Sequence, residues 1–130
     1  MTRVFAAFLF ASSFAHAEPN PELGKEVFST YCAACHGIGA TGDGPMAKLL
    51  TTPPADLTRL SENNDGQFPT FRVVRQIDGR DPLLAHGGEM PLFGQLFAYP
   101  EGSIATETGQ PIITAEPIAD VAAWLMTIQE

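Results

Sequence analysis

The stretch TYCAACHGIGATGDGP, Thr30 to Pro45, contains both cysteines of a 130-residue chain. Cys32 and Cys35 stand three residues apart, and His36 follows directly. A lone cysteine pair in an oxidising compartment suggests a disulfide. A bridge over two intervening residues closes a very short loop, however, and such a loop contributes less than a long one. A purely structural role is weakly motivated, and the rest of the chain must choose the chemistry.

The chain opens MTRVFAAFLFASSFAHA: Arg3, then an apolar run from Val4 to Phe14 broken only by Ser12 and Ser13, then Ala15-His16-Ala17. This reads as a secretory signal peptide over residues 1–17, with a core too short to span a bilayer. The expected mature part, residues 18–130, is the size of a single domain. No later apolar run reaches membrane-spanning length, so a soluble, exported, periplasmic protein is expected. The mature part has fifteen acids against six bases, a net charge of −9. That balance argues against nucleic acid and anionic lipid as partners and allows a basic patch on a protein partner.

Asn20-Pro21-Glu22 reads as a helix start, with an N-cap, a first-position proline and an acid in the first turn. Leu23, Val27, Phe28 and Tyr31 continue at helical spacing into Cys32–His36, and Gly37 ends the run. GIGATGDGP, 37–45, is a glycine-rich loop, and a short helical piece at Met46 to Leu50 follows. Phe71, Val74 and Ile77 predict a helix from about Thr70 to Ile77, closed by Asp78-Gly79. Residues 81–113 hold four of the eleven prolines and read as mostly irregular. Thr114 is the expected cap of a last helix carrying Ile118, Val121, Ala122, Trp124, Leu125 and Ile128. The expectation is an all-α fold of four or five short helices with long loops and no strand. So much loop in so small a domain implies something central that organises it.

Three chemistries compete for Cys-x-x-Cys-His. A redox dithiol needs a βαβ context, which is missing. Zinc normally needs four protein ligands, and after the leader the only further histidine is His86. Covalent haem attachment fits: thiols at i and i+3 each take one vinyl group, and the adjacent imidazole meets the iron. His36 is then one axial ligand. Met46, Met90, Met126, His86 or water could supply the other. Met46 is only ten residues past His36, on the same side of the ring, and Met126 reads as core. Met90, in HGGEMPLFG and stiffened by Pro91, lies far enough downstream to reach the opposite face. Met90 is the favoured second ligand and His86 the runner-up.

On CAACHG at 32–37, GDGP at 42–45, MP at 90–91 and a helix at each end, the chain resembles class I c-type cytochromes over nearly its whole mature length. The resemblance implies a cytochrome c-like fold wrapped around one covalently bound haem c. It implies that Gly24 and Phe28 of the first helix cross the last helix near Trp124. Pro45 matches the family proline whose carbonyl accepts the axial histidine's Nδ1–H, and Leu57 and Leu60 match a segment lining the haem edge. Arg59, Arg72, Arg75 and Arg80 are candidates to meet the haem propionates. The stretch Pro91 to Ile113 is longer than compact members need, and its Phe93, Phe97 and Tyr99 either cover the core or form a docking patch.

A six-coordinate iron lacks an open site for substrate but can pass one electron through an exposed ring edge. The expected function is therefore a non-enzymatic, periplasmic carrier between a protein donor and acceptor, as a monomer or a complex subunit. The alternative is a fixed electron-accepting subunit of a periplasmic dehydrogenase or terminal oxidase. A gas sensor or enzyme with Met90 displaced, and a thiol–disulfide protein without haem, are further alternatives.

Overall fold

The computed structural model describes residues 18–80, 90–97 and 101–130. The expected leader at 1–17, His86 and Tyr99 lie outside the described residues.

Helix α1 spans Pro21–Tyr31. Asn20 caps it by accepting the amides of Glu22 at 3.0 Å and Leu23 at 3.4 Å, and Pro21 opens it where no amide donor is needed. The chain turns at Cys32 and continues as the one-turn helix α2, Ala33–His36, which Gly37 ends at φ 78°. Three 3-10 turns follow: Ala47–Leu49, Leu57–Arg59 and Glu62–Asn64. Helix α3, Thr70–Asp78, ends at Gly79 in the left-handed region (φ 80°), whose amide bonds the Arg75 carbonyl at 2.9 Å. The closing helix, α4, runs over Glu116–Thr127 with Pro117 in its first turn.

The mostly helical expectation holds, with one correction. The region expected to be irregular contains an antiparallel hairpin: β1, Glu101–Ala105, pairs with β2, Pro111–Ala115, from Glu101 opposite Ala115 to Ala105 opposite Pro111. Thr114 is consequently a strand residue and Ala115 takes the cap position of α4. The strands are five residues each, and neither shows clean alternation. Ile104 is buried in β1, and Thr114 and Ala115 together in β2. Proline stands at the start of β2, a position it tolerates because no ladder donor is lost.

Helices α1 and α4 cross at Gly24. A Cβ there would overlap the main-chain carbonyl of Asp120, so only glycine permits this approach. One turn on, Phe28, 1% exposed, packs its ring 4.6 Å from that of Trp124. Ile118, Val121, Ala122 and Leu125 complete the α4 side of the core, and Val73, Val74 and Ile77 supply the α3 side. Met126, expected in the core, is instead 37% exposed. The chain end also folds back. Gln129 donates to the Leu57 carbonyl at 2.8 Å and accepts the Ser61 amide at 2.9 Å, and the Glu130 amide bonds the Thr58 carbonyl at 2.9 Å. These bonds hold the Leu57–Leu60 segment against the end of α4.

Candidate functional site

Cys32, Cys35 and His36 lie on a single helical turn. The Cys32 carbonyl accepts the amides of both Cys35, at 3.1 Å, and His36, at 2.9 Å. Both cysteines are free and half-buried. The Phe28 ring lies 6.4 Å from the imidazole, so the helix-crossing core directly supports this turn.

The glycine-rich loop closes over the helix end. The Gly42 amide bonds the His36 carbonyl at 2.8 Å, Gly44 bonds Cys35 at 3.1 Å and Met46 bonds Ala34 at 2.9 Å. Carbonyls left over at a helix C-terminus need such donors. A Cβ on Gly44 would stand 2.5 Å from the Ala34 carbonyl oxygen, which is why this turn needs glycine. The Leu57 amide then bonds the Ala40 carbonyl at 2.8 Å and brings the 53–57 segment alongside.

That segment corrects one expectation. The His36 Nδ1 lies 3.2 Å from the Ala55 carbonyl, which takes the place expected of Pro45. The Gly-Asp-Gly-Pro turn is occupied in satisfying α2, while the chain past Pro54 reaches the imidazole. With Nδ1–H donated to Ala55, Nε2 is the nitrogen left to bind a metal.

Leu57, Leu60, Phe68, Met90, Phe93 and Phe97 are partly buried against the core, as is Cys32. Of the three candidate methionines, Met90 alone is in this group; Met46 is 43% exposed and Met126 faces a surface cleft. Phe93 and Phe97 stack at 5.8 Å, and the Tyr31 ring meets Phe97 edge-on at 5.0 Å. These two phenylalanines therefore cover the core, while Leu92 and Leu96 beside them are exposed.

The four arginines separate. Arg59 donates to Glu62 at 2.6 Å, and Arg80 pairs with Asp78. Arg72 lines an open cleft with Phe71 and the hairpin. Arg75 lies over the Phe71 ring, 5.2 Å from its centroid, and donates through Nη2 to the Arg80 carbonyl at 2.9 Å. Its Nε is buried and lacks a hydrogen-bond partner among the described residues. A buried guanidinium nitrogen without an acceptor is costly and calls for one, which a carboxylate can supply.

Burial, then the charge of Cys35, pushes the Cys32 thiol up to about 11. A reactive dithiol depends on a lowered thiol pKa, and Cys32 is shifted the other way. Among the described residues no group of three or more His, Cys, Asp or Glu comes together to hold a metal ion. Two thiols and an imidazole on one turn remain, with a partly buried thioether and apolar side chains packed against the same core, and one guanidinium nitrogen without a partner among the described residues.

The family model described as "Cytochrome c" matches residues 21–129. The chain belongs to the cytochrome c family. A cytochrome c domain is an electron-transfer domain built for covalently bound haem c, with redox proteins as partners. Among solved structures, this cytochrome c is similar to a chain of the reducing HAO-like protein complex of Kuenenia stuttgartiensis. The TM-score is 0.54 and the identity 21%, over 90% of this chain and 46% of that one. That likeness concerns the fold, and this chain spans about half the length of the chain it matches. No curated protein matches the sequence. No helix among the described residues is long and apolar enough to cross a membrane.

The residues present fit haem c. The thiol pair is free, the imidazole is oriented through Nδ1, and Arg75 Nε has the unmet need that a propionate carboxylate would answer. The sequence pointed to Pro45 and missed Ala55, which acts through a backbone atom, and it did not choose among four like arginines.

Proposed function

We propose that this cytochrome c is a periplasmic carrier of single electrons between a protein donor and a protein acceptor. The observation that carries the reading is the Cys32–Cys35–His36 turn, with the imidazole Nδ1 on the Ala55 carbonyl. Haem c, when bound, supplies an iron that alternates between Fe(II) and Fe(III). Cys32 and Cys35 would hold the group by thioether bonds, and His36 and Met90 would be its axial ligands. Ala55 fixes the plane of the imidazole and raises its basicity. The Met90 thioether and the apolar side chains of Leu57 and Leu60 would favour Fe(II) and so raise the potential. Residues 1–17 would act as the export signal, leaving Glu18 as the mature N-terminus.

The test is an absorption spectrum of the exported protein and of Met90→Ala, oxidised and reduced, with and without carbon monoxide. The wild type should keep its colour through acid extraction, show a methionine–iron charge-transfer band and ignore carbon monoxide. Met90→Ala should keep its haem, lose the band, bind carbon monoxide and drop in potential. An unchanged ferric spectrum in that variant would overturn the Met90 assignment. Colour that leaves with the acid extract would overturn covalent attachment.

A second reading is a fixed electron-accepting subunit of a larger redox complex. It is favoured by Leu92, 42% exposed, and Leu96, 61% exposed, beside the half-exposed Tyr31. Co-elution with a partner at high salt would support it. A salt-sensitive, transient association would support the shuttle.

A further inference from the structure

The segment bearing Met90 is seated on the end of α3. The Phe93 amide donates to the Ile77 carbonyl at 2.9 Å. Gly94 lies so close to Asp78 that a Cβ would overlap both the main-chain carbonyl and the Oδ1 of that residue. Gly79 touches Leu92 just as closely, since a Cβ there would be 2.8 Å from its Cδ2.

Asp78 is itself held from a third element. Its side chain is 9% exposed and pairs with Arg80. The Thr114 hydroxyl, on a residue 2% exposed, donates to Oδ2 at 2.7 Å. A nearly buried carboxylate is costly unless its oxygens are satisfied, and here the hairpin supplies the second donor. Removing the hydroxyl would leave Oδ2 with the half-exposed Arg80 as its one partner and loosen the carboxylate whose Oδ1 fits against Gly94. A helix-stop role for Asp78 needs none of this, because the Gly79 amide bonds the Arg75 carbonyl and ends α3 unaided.

We propose that Asp78, held by Thr114 and fitted against Gly94, is a positioning residue for Met90, and that the hairpin buttresses the methionine segment through it. The proposal rests on Met90 being the axial ligand. Thr114 belongs to β2, which leads directly into α4, so the segment is tied through one buried carboxylate to α3, the hairpin and the root of the last helix.

The test uses the holoproteins of Met90→Ala, Gly94→Ala, Thr114→Val, Thr114→Ser and, as a hairpin control, Ile113→Thr on an exposed side chain of the same strand. Three quantities are read: the methionine–iron band, the carbon monoxide affinity of the reduced protein and the hydrogen exchange of the Phe93 amide. Gly94→Ala and Thr114→Val should raise carbon monoxide affinity and Phe93 exchange by about tenfold, the scale of one lost hydrogen bond. Thr114→Ser should restore both, and Ile113→Thr should match the wild type. If Met90→Ala keeps the band, the ligand assignment fails and the proposal falls with it. If Met90→Ala loses the band but Thr114→Val behaves as wild type in affinity and exchange, Met90 stands and the positioning role is overturned. Should Gly94→Ala yield no holoprotein, the Thr114 pair decides alone.

Discussion

Gly24 and Asp120 meet at the α1–α4 crossing, and each supports a prediction of its own. At Gly24 the obstruction is backbone, which cannot swing aside as a side chain would. Gly24→Ala should cost at least about 2 kcal/mol in thermal unfolding of the holoprotein, at the upper end of overpacking costs. Asp120 is 4% exposed, and its Oδ1 accepts the Asn20 amide at 2.6 Å. Burial outweighs that hydrogen bond, the charge of Glu116 adds to burial, and the carboxyl sits above its ordinary value. A raised carboxyl favours folding fully below the unfolded pKa, and that contribution is lost as pH rises through the folded value. Asp120→Asn keeps the acceptor and removes the charge. In urea titrations the variant should gain on the wild type as pH rises from about 4 towards 7. A difference that does not change with pH would exclude this account.

At the scale of elements, α1 delivers the site. Its buried Phe28 ties the cysteine turn to Trp124, so the ring that stabilises the crossing also supports His36. Phe28→Ala should cost about 3–5 kcal/mol and lower the yield of haem-loaded protein, measured by unfolding and by haem absorbance per chain. The hairpin is the element that was not anticipated. Its loop places Gly109 at φ 79° with open space around a Cβ, so strain alone acts there. Gly109→Ala should cost about 1 kcal/mol in thermal unfolding without moving the spectrum. Helix patterns in this chain repeat over several turns and carry caps. Five-residue strands with one or two buried positions each leave too short a signal beside Pro100, Gly102 and Pro111.

For the whole molecule, the chain has fifteen acids against seven lysines and arginines, and three of those bases, Arg72, Arg75 and Arg80, cluster at α3. Arg59 and Arg80 already have carboxylate partners, and Arg75 Nε has none among the described residues. Were Arg75 to meet a haem propionate, its charge would oppose the added positive charge of Fe(III). Arg75→Gln should therefore lower the midpoint potential, on the order of 60 mV for one decade in the one-electron equilibrium. Arg59→Gln should leave it nearly unchanged, and a voltammetric titration of both separates them. The net charge makes a further prediction. Electron exchange with a basic protein partner should slow as ionic strength rises, seen in stopped-flow rates between low and physiological salt.

Much of this protein was legible from the chain alone, because its strongest signals are local. The cysteine–histidine turn and the Asn20 and Gly79 helix ends each depend on a few neighbouring residues, while the meeting of Phe28 with Trp124 came from the family resemblance. They were enough for a mostly helical cytochrome c. Contacts between distant segments required the tertiary structure. Ala55 rather than Pro45 meets His36 because the chain past Pro54, held by the Leu57 amide on the Ala40 carbonyl, brings its own carbonyl to the imidazole. Thr114 pairs with Asp78 because a short hairpin turns it inward, 36 residues away in sequence. A backbone carbonyl has no residue type to betray it, and four arginines look alike until burial and partners distinguish them. Those choices come from packing, which no local pattern records.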